Sequence, residues 1–200
     1  MALEKQILND AMQTFRIEAE SLAETAKVLD PEAFSRAVEA LSGAPRIAAA
    51  GCGHTGIACR HFAHLMCCIE RPARFLSPAE AVHGGMGFLQ PGDVMLLASR
   101  GGKTDELMPI ADICRRKGIT VIGVTENTAS PLAEKSDIVL AMKVTRECDP
   151  YNCQGTTSFA VTCAIFDALQ TAVLEYTGFC NEEFAVIHPH GAVGKRLNRQ

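Results

Sequence analysis

Ser99-Arg100-Gly101-Gly102-Lys103-Thr104 directly follows the short apolar run Val94 to Ala98, and Asp105 and Glu106 come next. Small side chains, two hydroxyls and a lysine make a tight turn with exposed backbone N–H groups. Where such a turn opens a helix, the N–H groups are unpaired and the helix dipole adds partial positive charge. The chemistry this predicts is anion binding, with a phosphorylated small molecule as the first ligand class. Asp105 and Glu106 suit a first helical turn, but they must point away from a bound phosphate. A second glycine cluster, Gly51-Cys52-Gly53-His54-Thr55-Gly56, follows the run Arg46 to Ala50. G-x-G-x-x-G after a strand is also a dinucleotide fingerprint, which further requires an acid about twenty residues on. The next candidate strand, Ala73 to Leu76, ends in Ser77-Pro78, with no acid before Glu80. This loop therefore reads as a second sugar- or phosphate-binding turn.

The remaining reactive side chains point to structure rather than to a metal. His61 and His64 lie three apart on one predicted helix, and only Glu70 offers a carboxylate at matching spacing, so no metal site is expected. None of the nine cysteines forms a Cys-x-x-Cys pair. Cys59, Cys67, Cys114 and Cys163 fall among apolar neighbours in predicted helices, as reduced core thiols do. Cys67-Cys68 and Cys148/Cys153 lack zinc-type spacing. Phe159, Cys163 and Phe166 form a core stripe. Lys195, Arg196 and Arg199 read as a solvated basic end.

Placing the two glycine loops requires strands that alternate with helices, and hence a parallel sheet covered on both faces. Arg46–Ala50, Ala73–Leu76, Val94–Ala98, Ile119–Val124 and Asp137–Met142 are the strands. Helices are expected from the first glycine loop to about Ile69, from the second to Lys117 with Gly118 as the stop, over Asn127–Lys135, and over Thr156–Tyr176 before Gly178. Pro78–Gly87 reads as a helical turn and loop. Ahead of the first strand, Leu3, Ile7, Leu8, Met12, Phe15, Leu22, Ala26 and Leu29 fall on one helical stripe, and Pro31 to Leu41 is a second helix. A long amphipathic helix before any strand has little of its own domain to cover. It is expected to pack on a neighbouring subunit.

Two hundred residues suit one domain, with N-terminal helices over 1–44 and an α/β core with C-terminal helices over 45–200. A net charge of -4 provides no basic footprint for nucleic acid. No apolar run approaches the ~20 residues of a membrane helix, and Met1 to Lys5 carries no signal pattern. The expectations are no nucleic acid, no membrane and a cytoplasmic location.

The chain resembles the sugar isomerase (SIS) domain family, and within it the arabinose-5-phosphate isomerases, from about Arg46 to the end. The resemblance is carried by Gly51 to Gly56, Pro78-Ala79-Glu80-Ala81-Val82-His83-Gly84, Ser99 to Glu106, Lys143 to Pro150, Thr156-Thr157-Ser158 and His188 to Leu197. The last stretch is similar to the family's H-P-G-G-A-L-G-[RK]-[RK]-L. The resemblance implies a three-layer αβα sandwich of flavodoxin/Rossmann-like type, with a five-stranded parallel sheet and an N-terminal helical extension. It implies aldose–ketose isomerisation of a sugar phosphate without a cofactor. It further implies a dimer or tetramer with shared sites. Glu147, His188, His83 and His54 occupy positions matching catalytic residues. Gly53, His54, Thr55, Ser99, Arg100, Gly101, Gly102, Lys103, Thr104 and Thr156 match substrate or phosphate contacts.

Such a reaction needs a base, a partner for the enediolate oxygen and a proton shuttle. Glu147 is the expected base, which works best with its pKa raised by burial from ~4.3 toward ~6–7. The plainer alternative is a loop charge paired with Arg146 or Lys143. Three departures stand out: His54 replaces a family lysine, Lys103 a glutamate and Gly101 a serine. One expectation is that Lys103 takes over the positive role of the lost lysine, a swap of charge between the loops. The CBS pair of many relatives has no counterpart after His188. Two other readings stay open: a 6-phospho-3-hexuloisomerase, and a non-catalytic SIS module that senses a sugar phosphate or nucleotide sugar.

Overall fold

A computed structural model describes residues 2–198. The chain begins with α1 (Ala2–Val28) and α2 (Pro31–Gly43). Asp30 separates them and caps α2, its carboxylate accepting the N–H groups of Glu32 and Ala33. The α/β part runs β1 (Ile47–Ala50), α3 (Gly53–Cys67), β2 (Ala73–Phe75), α4 (Pro78–Ala81) and β3 (Val94–Ala98). It continues through a 3-10 turn, Asp105–Leu107, into α5 (Met108–Lys117), then β4 (Thr120–Thr125), α6 (Pro131–Glu134), β5 (Ile138–Ala141) and α7 (Thr157–Thr177). Two short helices, α8 (Asn181–Ile187) and α9 (Gly191–Leu197), follow.

The five strands pair in parallel in the order β2-β1-β3-β4-β5. Alternate strand residues go to opposite faces. Ile47, Ala49 and Leu96 join Phe62 of α3 and Phe166 of α7 on one side. Ala48, Ala50, Met95 and Leu97 join Ile110 and Cys114 of α5 on the other. This is the three-layer αβα sandwich. The chain leaves β1 toward β2 and leaves β3 toward β4, in opposite directions along the sheet. The loops after β1 and β3 therefore diverge and open a crevice beyond the strand ends, the usual ligand position in open α/β sheets.

The second half of α1 packs on its own chain. Thr25 Oγ1 donates to the Lys143 carbonyl at 2.9 Å, and the Thr145 N–H donates to Ser21 Oγ at 3.0 Å. The first half does not: Leu3, Ile7, Leu8, Met12 and Phe15 are 44–73% exposed. The stripe read from the sequence thus divides between the chain's own core and an uncovered face.

Several expectations change. The helix expected over Asn127–Lys135 is only Pro131–Glu134. Asn127 Oδ1 accepts the Ala129 N–H and holds the preceding residues in a turn. Pro131, lacking an N–H, fits the first helical position. After Gly178 the chain forms the short helices α8 and α9, within the region expected to carry C-terminal helices of unstated bounds. Lys195 and Arg196 are exposed on α9, while Arg199 lies outside the described residues. One helix, α7, is long and apolar enough to cross a membrane by length and composition, contrary to the reading that no stretch approaches that length. Its residues Val161, Ile165, Phe166, Leu169 and Val173 are buried in the core. An apolar helix of this kind is one surrounded by other elements. All nine cysteines are free thiols. Burial pushes Cys114 up to about 12, whereas Cys67, expected in the core, is exposed at the end of α3.

Candidate active site

The turn after β3 is held from all sides. Ser99 Oγ and Thr104 Oγ1 are 2.7 Å apart, and the Gly102 N–H donates to both oxygens of Ser99 at 3.1 Å. Thr125 Oγ1 and the Glu126 N–H donate to the Arg100 carbonyl, and the Leu132 N–H donates to the Gly102 carbonyl. Gly102 is the residue this geometry requires. Its φ is +66°, and a Cβ there would collide with the Ser130 hydroxyl. Gly102→Ala is expected to cost about 2–3 kcal/mol, read as a lowered urea midpoint with an unchanged m-value; parental stability in this variant would contradict the packing described.

Both loops present free donors. Among the described residues, the backbone N–H groups of Lys103, Thr104, Asp105 and Glu106 have no hydrogen-bond partner. The same is true of Gly53, His54 and Thr55 at the start of α3, whose N-cap Cys52 makes no side-chain cap. Gly56 lets that helix approach β1 closely, since a Cβ there would lie 2.6 Å from the Gly51 carbonyl. Fifteen residues of α3 add their aligned dipoles at this end.

Two clefts flank the turn after β3. The first has a volume of about 400 Å³ and is lined by Gly53, Ile57, Arg60, Phe75, Ser77 and Glu106, among others. The Arg60 guanidinium lies 4.0 Å from the centre of the Phe75 ring. The second, about 590 Å³, is lined by Arg100, Gly101, Lys103, Glu126, Asn127 and Lys143. Glu106 and Lys103 thus line different clefts, although they are only three positions apart.

Glu147 sits where the segment after β5 meets α7, and is 2% exposed. Arg100 Nη1 donates to its Oε1 at 2.7 Å, while the Ser158 N–H and Thr156 Oγ1 reach its Oε2 at 3.1 and 3.2 Å. Burial opposes ionisation, but hydrogen bonds from the Ser158 side chain and backbone, the Arg100 charge and Thr156 outweigh it. The carboxyl is held below its ordinary range. This is the reverse of the upward shift expected for a neutral-pH base, and it comes from the number of donors aimed at the charged form. Arg100 also donates through Nε to Glu126 Oε2 at 2.9 Å.

The SIS domain family profile matches residues 40–172. The chain belongs to the SIS domain family. It is 39% identical over 165 residues to arabinose 5-phosphate isomerase KdsD of Pseudomonas aeruginosa, covering 82% of this chain and 51% of the relative. It is 31% identical over 196 residues to arabinose 5-phosphate isomerase KpsF of Escherichia coli, covering 98% and 62%. The chain therefore spans about half to three-fifths of these curated relatives. A crystal structure of a proposed sugar-phosphate isomerase from Listeria monocytogenes superposes with a TM-score of 0.90 at 40% identity, covering 93% of this chain and 98% of that one. The fold is shared at 24% identity with a protein of E. coli CFT073 whose structure is that of a ligand complex (TM-score 0.86; 92% and 98% covered).

This SIS chain brings some of the expected residues together and separates others. His54, on the first turn of α3, is exposed and meets Phe159 edge-on at 6.4 Å between ring centres. Gly155 lies flat against it, since a Cβ there would be 3.2 Å from His54 Nδ1. His54 therefore joins the first loop to the Thr156–Ser158 turn that holds Glu147. Thr55 is half-buried with no side-chain partner among the described residues. Thr156 is taken up internally: it accepts the Cys148 N–H at 2.9 Å and faces Glu147. Arg100 is occupied by two carboxylates, and Gly101 offers only backbone. Lys103 lines the cleft with Arg100 and Lys143 rather than that of the first loop.

His83 is exposed after α4, with no side-chain contact among the described residues. His188 follows α8 and stacks on Phe184 at 5.0 Å. It lies beyond the end of α7 opposite Glu147, and that 21-residue helix rises about 30 Å. His61 has a carboxylate neighbour after all, Asp167 at 3.1 Å. Among the described residues no group of three or more potential ligands could hold a metal ion.

Glu106 is the site residue that sequence reasoning misses. The resemblance matches Lys103 to a family glutamate, yet it is Glu106, expected to point away from a bound phosphate, that lines the cleft of the first loop. The available signal is position in the turn. Lys103 precedes the helical segment that opens at Asp105, and Glu106 lies within it, so the two side chains need not face the same way.

Proposed function

We propose that this SIS chain interconverts an aldose phosphate and its ketose phosphate, with arabinose 5-phosphate and ribulose 5-phosphate as the pair. The observation that carries the reading is Glu106: a carboxylate with no hydrogen-bond or ion-pair partner among the described residues, in a cleft beside the free N–H groups of two loops. The phosphate is held by those N–H groups with Thr55 and the field of the α3 dipole. Glu106 removes the proton from C2 of the aldose, giving an enediolate, and returns it to C1. The substrate's oxidation level is redistributed internally, so no cofactor takes part. The N–H groups at the start of α3 and His54 stabilise the enediolate oxygen. Nine free thiols suit a reducing, cytoplasmic setting.

A complete site takes two copies of the chain. The arm that carries His188 has little core of its own: α8 has no buried residue, α9 only Gly194, and Val186 is 78% exposed. Seven-residue helices are not stable in isolation. The exposed half of α1 has the same need. Docking these surfaces on a second copy delivers His188 to a neighbouring cleft. Mixing inactive Glu106→Gln and His188→Ala chains after unfolding together is then expected to restore activity, because some sites receive both intact residues. Two sets that stay inactive when mixed would contradict shared sites.

The sensor reading has one observation in its favour, the locked, low-pKa state of Glu147. The test that separates the two is conversion. Incubation with arabinose 5-phosphate yields ribulose 5-phosphate by NMR on the isomerase reading. Binding of pentose and hexose phosphates with no ketose product overturns it.

A further inference from the structure

Away from both clefts of the candidate active site, two thiols line one cavity. It has a volume of about 400 Å³ and lies between the end of α3, the second half of α7 and the start of α8, with Cys68, Ile69, Gln170, Leu174, Phe179 and Cys180 among its walls. Ile69 and Phe179 pack against the same hydrophobic core. Their chain neighbours, Cys68 and Cys180, are thereby brought to one space although they lie far apart in sequence. Cys67 takes another direction. Its Sγ donates to the Ala73 carbonyl at 3.2 Å, at the start of β2, and it does not line the cavity.

The two walls differ in how firmly they are held. Cys68 caps α3, a 15-residue helix whose Cys59, Phe62 and Met66 are buried. Cys180 opens α8, which has no buried residue, so that wall can shift at little cost in packing. A disulfide needs its Cα atoms roughly 4.4–6.8 Å apart. An open cavity between a fixed wall and a loosely held one leaves room for that approach. Cys68 also has a base at hand: its Sγ lies 3.6 Å from Nε2 of the exposed His64, one helical turn earlier. Burial raises the Cys68 thiol, and neighbouring Cys67 raises it further. The thiol therefore stays protonated until a base takes its proton.

We propose that Cys68 and Cys180 are a hydroperoxide-responsive pair that closes into a disulfide and pins α8 to the end of α3. His64 takes the Cys68 proton, and the thiolate sulfur attacks one oxygen of the hydroperoxide. The O–O bond breaks, an S–O bond forms, and the other oxygen leaves as water or an alcohol with the proton from His64. The Cys180 sulfur then displaces the hydroxyl of this sulfenic acid. The S–S bond forms, and the hydroxyl departs as water with the Cys180 proton. Two thiols are oxidised and one hydroperoxide is reduced by two electrons. A free thiol reverses the step by exchange. The segment that gains this second attachment is the arm bearing His188.

The test treats the reduced full chain with hydrogen peroxide, blocks the remaining thiols, and maps peptides by mass spectrometry without reduction. After digestion with trypsin and a glutamate-specific protease, residues 61–70 and 176–182 are expected as one linked species. The chain should still run as a single copy on a non-reducing gel. Cys67→Ser should keep the link, while Cys68→Ser and Cys180→Ser should each abolish it. In the native chain, cleavage after the exposed Glu182 and Glu183 is expected to slow about tenfold on oxidation, as local opening of α8 is suppressed, and to recover with dithiothreitol. His64→Gln is expected to slow closure about tenfold or more. Four results would each overturn the proposal: Cys68 oxidised to its sulfinic acid with Cys180 left free, a link that runs through Cys67 or between two chains, unchanged cleavage of a linked chain, or a closure rate untouched by His64→Gln. None of these readouts depends on sugar-phosphate turnover.

Discussion

Glu106→Gln is expected to lower kcat by about 10²–10⁴-fold, the usual contribution of a positioned general base, while sugar-phosphate affinity stays within a few-fold of the parent. Glutamine keeps the shape and a hydrogen-bonding oxygen but cannot take a proton. Glu106 is exposed on the turn after β3, so the variant should melt with the parent. Loss of turnover with KM and melting temperature retained is the signature of an interaction made only in the transition state. Glu106→Asp, with a shorter reach, should recover part of the rate. A Glu106→Gln chain with parental kcat would remove Glu106 from the chemistry and return attention to Glu147.

Glu147→Ala is expected to act on stability first. The carboxylate is almost fully buried and receives Arg100, Ser158 and Thr156. Deleting it leaves the Ser158 N–H at the α7 N-terminus without its acceptor and leaves the Thr156 hydroxyl only the more distant Gln154 carbonyl. A cost of about 2–4 kcal/mol follows, measured as a lowered urea midpoint. Acid should expose the same contact in the parent chain. The folded pKa of Glu147 is lowered, so its contribution is complete above the unfolded value of about 4.3 and is lost as pH falls from there through the folded value. Glu126, held low by Arg100, Val144 and Lys143 against burial, adds to the same window. The parent's melting temperature should fall steeply below about pH 4.5, and Glu147→Gln should flatten that fall. Identical acid profiles in the two chains would show that this carboxylate does not hold the segment before α7.

The sheet was readable because its signals are local. Val94–Ala98 is five apolar residues in a row, and the strand that forms there is buried at every position. Gly118 marked the end of α5 and adopts φ +67° as a left-handed cap. Legibility ended where partners come from far along the chain. Nothing near Glu147 in sequence announces Arg100, 47 residues earlier, so its downward pKa shift was out of reach. Glu106 read as a first-turn carboxylate pointing away from a bound phosphate, and only the three-dimensional turn places it in one cleft and Lys103 in the other. The arm after Gly178 was legible through its similarity to a family motif and not through periodicity, because its apolar residues are too few and too exposed to print a pattern.

The measurement that bears most directly on the account is proton exchange at the reacting carbon. The chain is incubated with arabinose 5-phosphate in D₂O, and the pentose signals are followed by NMR. Deuterium is expected at C2 of the aldose and C1 of the ketose, at a rate that collapses in Glu106→Gln. Tight binding of arabinose 5-phosphate with its C2 proton retained would contradict it, and would mark this SIS chain as one that holds a sugar phosphate without turning it over.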